Sequence, residues 1–326
     1  MKTISRRSIN IGLATAAVFA CMSTMVQAQD RFPNKPIRMI VPFAAGGGND
    51  AVARIVGESI SQILGQPVIV ENKPGAGGNI GTDFVAKAPA NGYTLVHVAN
   101  TVVVNPYLYR KLPFDVQKDL TPVGLLATAP LLVLANPRSS VTSLTGLAQQ
   151  MKEHKPLSYA SPGTGTPHHF AMELLSSRLG SDIVHVPYKG AGPAVTDVVG
   201  GQLPILVSTP QSVTDFVATG RLRLLATMEA SRPPEFKDVP TVSEMVPNFN
   251  VSIWHGLMVP ARTPQPIIDS LSTAVSKSLA DPEVLKKLAG VGFTGKFGNA
   301  AEMKKRISTE LDIWKSVAEK AKIVPE

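Results

Sequence analysis

Four times along this chain an apolar run of strand length empties into a small or glycine-rich turn that opens a helical pattern. That repeated unit constrains the fold more than any other feature. The first copy is Ile37 to Phe43, then Ala44-Ala45-Gly46-Gly47-Gly48-Asn49-Asp50, then Ala51 to Leu64 with Val52, Ile55, Val56, Ile60, Ile63 and Leu64 on one broad face. Gly65 follows, where a helix commonly ends on a left-handed residue. The second copy runs Pro67 to Glu71, through Pro74-Gly75-Ala76-Gly77-Gly78-Asn79, into a helix from Ile80 to Lys87. Leu157 to Ala160, with the loop Ser161 to Pro167, opens a helix from His168 to Leu179 closed by Gly180. Ile183 to Tyr188, with Lys189-Gly190-Ala191-Gly192, opens another from Pro193 to Val199. Apolar strands alternating with helices predict an α/β protein whose parallel sheets are covered on both faces.

Further strands are expected over Tyr93 to Val98, ending near Asn100-Thr101, and over Gln202 to Ser208, Leu222 to Thr227 and Ser252 to Val259. Helical spacing marks Ser212 to Ala218, Pro266 to Ala280 and Ala301 to Ala321, and Asn299 with Glu302 has the spacing of a capping box. The chain beyond Ala28 is long for one core, which favours two domains. The apolar stretch Leu125 to Ala135 reads as the crossing into a second unit, and the proline-punctuated Ser231 to Asn250 as the way back. The expected division is 1-28 as a leader, 29-126 with 249-326 as one discontinuous domain, and 127-248 as the other.

The leader has a charged start, Met1-Lys2-Thr3-Ile4-Ser5-Arg6-Arg7, then an apolar stretch shorter than a membrane span, then Val26-Gln27-Ala28. This is the pattern of a cleavable export signal and predicts a periplasmic protein cut after Ala28, by the Sec route or through a twin-arginine signal at Ser5-Arg6-Arg7. Lipid attachment at Cys21 is the weaker alternative, because Phe19 suits a lipid-attachment box poorly. Cleavage removes Cys21, the only cysteine, so burial rather than disulfides must stabilise the mature chain. The net charge of +8 falls to +5 with the loss of Lys2, Arg6 and Arg7. That mild excess suits an anionic small molecule, and no run of Lys and Arg suggests nucleic acid.

Glycine lets a ligand approach the main chain, and the first turn of a helix presents unpaired N–H groups, so the two early loops suit an anion. Each loop taken alone is equally well a tight βα connection. Neither has the Gly-Lys-Ser/Thr of a P-loop or the Gly-x-Gly-x-x-Gly spacing of a dinucleotide site. In a parallel sheet all four loops open at the carboxyl ends of the strands, where ligands bind. Asp50 is expected as a ligand contact or as the helix N-cap, with Arg54 pairing to it. His168 and His169 carry no metal expectation, since neighbouring helical residues point apart. Ser161, His169 and Asp197 assemble into a nucleophilic triad on paper, but Pro162 deprives Ser161 of the next-residue N–H that an oxyanion hole uses. Ser161, Thr164 and Thr166 read better as neutral donors to an anion or as helix caps.

The residues resemble the Bug (TctC) family of periplasmic solute-binding proteins associated with tripartite tricarboxylate transporters. The blocks that carry the likeness span most of the mature chain: Val41-Pro42-Phe43 with Gly46-Gly47 and Asp50; Glu71-Asn72 with Gly75-Ala76-Gly77-Gly78; Asn91-Gly92-Tyr93-Thr94-Leu95; Asn105-Pro106; Gly163 to Thr166 with His169 and Glu173; Val186-Pro187-Tyr188-Lys189-Gly190; Asp238-Val239-Pro240-Thr241; and Trp254 with Gly256-Leu257. Thr166 departs from the Ser usual at its position. The resemblance implies a Venus-flytrap fold of two α/β domains that binds carboxylates between them without catalysis or cofactor. It places Phe43, Ala44, Ala45, Gly46, Gly47 and Asp50 with Gly75, Ala76, Gly77, Gly78, Asn79 and Thr101 around one ligand carboxylate. Ser161, Thr164, Thr166, His169, Gly190 and Asp197 are expected at the ligand's other end. The expected partners are a small carboxylate and, transiently, membrane transporter subunits, with the protein itself a monomer. A sensor or accessory role in signalling, and an exported serine hydrolase using Ser161 and His169, are the competing readings.

Overall fold

The computed structural model describes residues 32–320, 323 and 325. The expectations placed on Ser5-Arg6-Arg7, Cys21 and the cut after Ala28 lie outside the described residues. Each of the first two units forms as a strand and a helix: β1 (Ile37–Val41) with α1 (Gly48–Leu64), then β2 (Val68–Asn72) with α2 (Asn79–Ala86). Strand β3 (Thr94–Ala99) and the single turn α3 (Thr101–Val104) follow. β1 pairs in parallel with both β2 and β3, as the repeated unit predicts.

The next stretch departs from the sequence reading. Leu120–Pro130 is a strand, β4, and only Leu132–Ala135, β5, belongs to the second sheet, so one apolar run is divided between two sheets. Pro122 and Gly124 disguise β4 in sequence. Its register against β10 (Ser252–Pro260) slips twice, at Leu126 and at Val123, the latter between those two residues. A bulge tolerates a proline that cannot donate to the ladder. Gly124 is glycine because a Cβ there would stand 2.8 Å from the Gly298 carbonyl oxygen.

The second half builds α4 (Leu144–Lys152), β6 (Ser158–Ser161), α5 (Pro167–Leu179), β7 (Val184–Pro187), α6 (Ala191–Gly200), β8 (Ile205–Ser208), α7 (Pro210–Ala218) and β9 (Arg223–Thr227). After β10 come α8 (Gln265–Ser278), α9 (Pro282–Gly290), β11 (Thr294–Asn299) and α10 (Ala300–Lys320). Seven helices begin one to three residues before the expected start, at Gly48, Asn79, Pro167, Ala191, Pro210, Gln265 and Ala300. Gly and Pro weaken a helix interior but are tolerated in its first turn, where the N–H groups have no partner anyway.

The sheets are mixed rather than purely parallel. One has the order β11-β4-β10-β3-β1-β2 and the other β7-β6-β8-β5-β9. β10 runs antiparallel to β3 and β4, β11 to β4, and β5 to β8 and β9. Strand direction depends on how the chain re-enters a sheet, and local periodicity holds no record of that. The chain crosses between sheets at Pro130 to Leu132 and again between Thr227 and Ser252. The crossings lie side by side: Met228 N–H donates to the Leu131 carbonyl at 2.9 Å and Val251 N–H to the Met228 carbonyl at 2.8 Å.

The main core runs continuously from Ile40, Val96 and Trp254 on the six-stranded sheet to Val133 and Tyr159 on the other and Phe170 on α5. Helix α10 joins them through Trp314, which meets Phe170 edge to face at 5.6 Å, a pair worth about 0.5–1.5 kcal/mol beyond its burial. The Trp254 and Trp314 indole N–H groups both donate to Glu310 Oε2, and Arg306 Nε donates to Glu310 Oε1. Asn299 and Glu302 form the expected reciprocal cap of α10, at 2.8 and 3.0 Å. Among the described residues no helix is long and apolar enough to cross a membrane.

Candidate functional site

The first loop rises from buried β1 through exposed Ala44 to Gly47 and turns into α1. Gly46 has φ +84, and Gly47 is the N-cap with no side-chain cap. Asp50 is therefore not the N-cap. It lies in the first turn and reaches back, its Oδ2 accepting the Gly46 N–H at 2.9 Å and Arg54 Nε at 3.0 Å, and its Oδ1 accepting from Asn72 Nδ2 at 2.9 Å. Asn72 also donates to the Phe43 carbonyl and accepts from Arg54 Nη2. Burial disfavours the Asp50 carboxylate, but the bonds from Arg54, Gly46 and Asn72 outweigh it and hold the group at about 2. The pairing with Arg54 is as expected. Both Asp50 oxygens are engaged within the protein, so the residue shapes the loop.

The second loop is more strained. Gly75, Ala76, Gly77 and Gly78 all have positive φ, with the alanine at +46. A left-handed alanine costs about 1 kcal/mol, and such strain collects where function holds a loop in place. The holding comes from Asn105, whose Nδ2 donates to the Gly77 carbonyl at 3.0 Å and to Asn79 Oδ1 at 2.7 Å. Helix α2 likewise starts with no side-chain cap, after Gly78. A Cβ on Gly78 would stand 3.3 Å from the Phe43 ring, so the two loops are packed on each other.

Between them is a recess lined by Phe43, Gly77, Gly78, Asn79, Thr101 and Asn105 among others, none of them charged, with about 10 Å³ of free space. That is about one water-sized group. Of the sequence-predicted residues, Phe43, Gly77, Gly78, Asn79 and Thr101 come together here, and Ala44, Ala45, Gly46, Gly47, Gly75 and Ala76 form the adjoining loop backbone.

The loops of the five-stranded sheet are also joined to each other. Tyr188 N–H donates to the Ser161 carbonyl at 3.0 Å, and Gly190 N–H to the Pro162 carbonyl at 2.9 Å. Thr166 is the N-cap of α5: its hydroxyl donates to the Gly163 carbonyl and accepts from His169 N–H. Thr164 is exposed on the loop. The paper triad does not form. Ser161 Oγ lies 2.7 Å from His185 Nε2, and Asp197 accepts a 2.6 Å bond from the Tyr188 hydroxyl. His169 instead accepts the Gly165 N–H on Nδ1 at 3.1 Å, which leaves its proton on Nε2, 3.8 Å from Glu173 Oε1. Glu173, four residues on, is thus a carboxylate neighbour that the sequence reading passed over. The Tyr159 hydroxyl donates to the same Glu173 oxygen at 3.0 Å.

The His185 ring stacks on His169 at 4.0 Å and on Tyr159 at 4.9 Å. Burial lowers His185 to about 4 and, with the neighbouring His185, His169 to about 3, so both are neutral at physiological pH. Burial also raises the Glu173 carboxyl. Sequence reasoning missed Asn72, Asn105 and His185 as site residues. The first two stand in the quoted family blocks, whereas His185 reaches the loop only because β7 pairs Val184 to Pro187 against β6.

Residues 52–323 match the family model described as tripartite tricarboxylate transporter family receptor, TctC. Protein BugT of Bordetella pertussis (strain Tohama I) is 35% identical over 313 residues, 95% of this chain and 94% of that protein. Among solved structures, the periplasmic binding protein BugD is 31% identical with a TM-score of 0.71, covering 90% of this chain and 100% of that one. R. palustris Rpa4515 with adipate is 30% identical with a TM-score of 0.74, over 90% and 100% of the two chains. MatC (Rpa3494) from Rhodopseudomonas palustris with bound malate is 32% identical with a TM-score of 0.70, over 88% and 99%. BugD is a periplasmic binding protein and MatC holds malate, and the hydrolase reading built on Ser161 and His169 loses its base, since Ser161 pairs with His185 instead. The chain belongs to the TctC, or Bug, family of periplasmic solute-binding proteins.

Proposed function

We propose that this protein captures a small carboxylate reversibly in the periplasm and presents it to the membrane subunits of a tripartite tricarboxylate-type transporter. The observation that carries the reading is the uncharged recess at the start of α2, which follows Gly78 without a side-chain cap, with Phe43 of the first loop on its wall. Main-chain N–H groups at the positive end of a helix dipole are an anion site that needs no cationic residue. Adipate and malate are bound in two of the neighbours.

On this reading the expected boundary at 126/127 moves to the crossing at Leu131, because β4 runs to Pro130, and the parts of the chain that build the six-stranded and the five-stranded sheets are two lobes that close about the paired crossings at Leu131, Met228 and Val251. The β1 and β2 loops recognise that an acid is present. The β6–α5 and β7–α6 loops, with Ser161, Thr164, Thr166, His169 and Gly190, read the rest of the ligand, and Asp197 acts there by holding Tyr188. Closure by ligand is a population shift, so it requires contacts from both lobes in the closed state.

Purified mature protein, stripped of copurified ligand, is heated with a panel of mono-, di- and tricarboxylates. At least one acid raises the midpoint in a concentration-dependent way, as RT ln(1 + [L]/Kd) requires. A flat response across the panel, with ligand-free protein verified by native mass spectrometry, rules the reading out.

A further inference from the structure

The recess is built by elements of the six-stranded sheet and the β6–α5 loop by those of the other, and one short turn joins them. Asn105, on the recess wall, opens the turn Asn105–Tyr107, and Leu108 follows it. The Leu108 and Tyr109 N–H groups both donate to the Asn105 carbonyl, at 3.0 and 3.1 Å, so Asn105 to Tyr109 form one unit. That unit is anchored at each end and in its middle. Asn105 bonds to Gly77 and Asn79, the Tyr109 hydroxyl lies 2.9 Å from where a Cβ on Gly77 would be, and the Tyr107 hydroxyl donates to the Leu311 carbonyl on α10 at 2.6 Å. Leu108 is thereby fixed relative to the recess.

The Leu108 side chain reaches across to the other sheet's elements. Its Cδ2 and Cγ lie 3.1 and 3.3 Å from where a Cβ on Gly165 would be, and its Cδ1 closer still, so the isobutyl group fills the space of the absent side chain. Gly165 has φ +75, which suits glycine as the close approach does. Its N–H donates to His169 Nδ1 at 3.1 Å, which fixes the backbone against which Leu108 rests. Thr164 and Thr166 flank that backbone in the loop expected to read the ligand's far end. The contact is apolar, so it favours no acid over another.

We infer that Leu108 is a positioning residue that clasps the β6–α5 loop to the carboxylate recess across the two lobes. This rests on the carboxylate reading of the recess and adds what holds the two ends of the site in register. Because Leu108 and Gly165 belong to different lobes, opening breaks their contact, and the clasp slows the escape of a bound acid without taking part in its capture. Its effect therefore falls on the dissociation rate.

The test is stopped-flow binding of malate, adipate and every other acid of the carboxylate panel that the wild-type mature protein takes. Leu108 is half-buried, and Leu108→Ala raises each dissociation rate about tenfold while association stays within about twofold. Leu108→Met, which keeps the volume, restores the wild-type rates, and Leu108→Val, a smaller cut, raises dissociation about threefold. Cooperative melts without ligand establish that the variants fold. Gly165→Ala presses on the same contact from the other lobe, so in a double-mutant cycle its effect on dissociation and that of Leu108→Ala combine to less than their product. A residue that supported only its own lobe would give effects that multiply. Unchanged dissociation in Leu108→Ala, or multiplying effects in the cycle, overturns the inference. Wild-type protein that binds no acid of the panel overturns the carboxylate reading itself.

Discussion

Acidification acts on a pair of histidines beneath the first loop. His97 on β3 and His255 on β10 are 0% and 1% exposed, and their ring centroids lie 4.9 Å apart. Phe293 packs edge-on against His255, and among the described residues none of the four ring nitrogens has a hydrogen-bond partner. Burial lowers His97 from 6.5 to about 4, and burial together with the neighbouring His97 lowers His255 well below 6.5. Below pH 6.5 the unfolded chain protonates these rings and the folded chain does not. The stability of the neutral pair is therefore intact above about pH 6.5 and is lost progressively as the pH falls to about 4.

At 1.36 kcal/mol per pH unit, the His97 displacement corresponds to roughly 3 kcal/mol over that window, a sizeable part of a typical folding free energy. His255 acts in the same direction. Carboxylates such as Asp50 titrate at lower pH, so the histidine contribution is isolated by difference. Urea unfolding of wild type and His97→Leu is measured from pH 7.5 to pH 4.5. Wild type loses about 2–3 kcal/mol more than the variant across that range, because the variant has no His97 imidazole to keep neutral. Parallel stability curves for the two proteins would refute the reasoning.

Two other perturbations follow from the site. Asn105→Ala removes both bonds that hold the strained second loop and leaves Asn79 Oδ1 and the Gly77 carbonyl without those partners; carboxylate affinities measured by titration fall together, by about 1–3 kcal/mol each, without a change in their ranking. Gly165→Ala places a methyl 2.3 Å from Leu108 Cδ1 at a residue with φ +75, and thermal melts show a loss of about 1–3 kcal/mol. Adding Leu108→Ala recovers the steric part of that loss and leaves the backbone part.

What the sequence determined by itself was local. Apolar runs and glycine punctuation gave β1 with α1 and β2 with α2 to within a few residues, Gly65 and Gly180 stopped their helices in left-handed conformations, and Asn299 with Glu302 capped α10. The same signals brought out the two early loops as the site proposed for an anion, because bare backbone and a helix start are properties of neighbouring residues. The tertiary structure decided everything that depends on which strands lie side by side. It split Leu125 to Ala135 between two sheets, turned β10, β11 and β5 antiparallel to neighbours, gave Ser161 to His185 instead of His169, and tied Asp50 to Asn72. Those contacts join residues up to a hundred or more positions apart, and they form through burial and hydrogen-bond satisfaction across the whole core. No window of sequence contains both partners, so the contact of Leu108 with Gly165, between elements of the two sheets, could be seen only once the chain was folded.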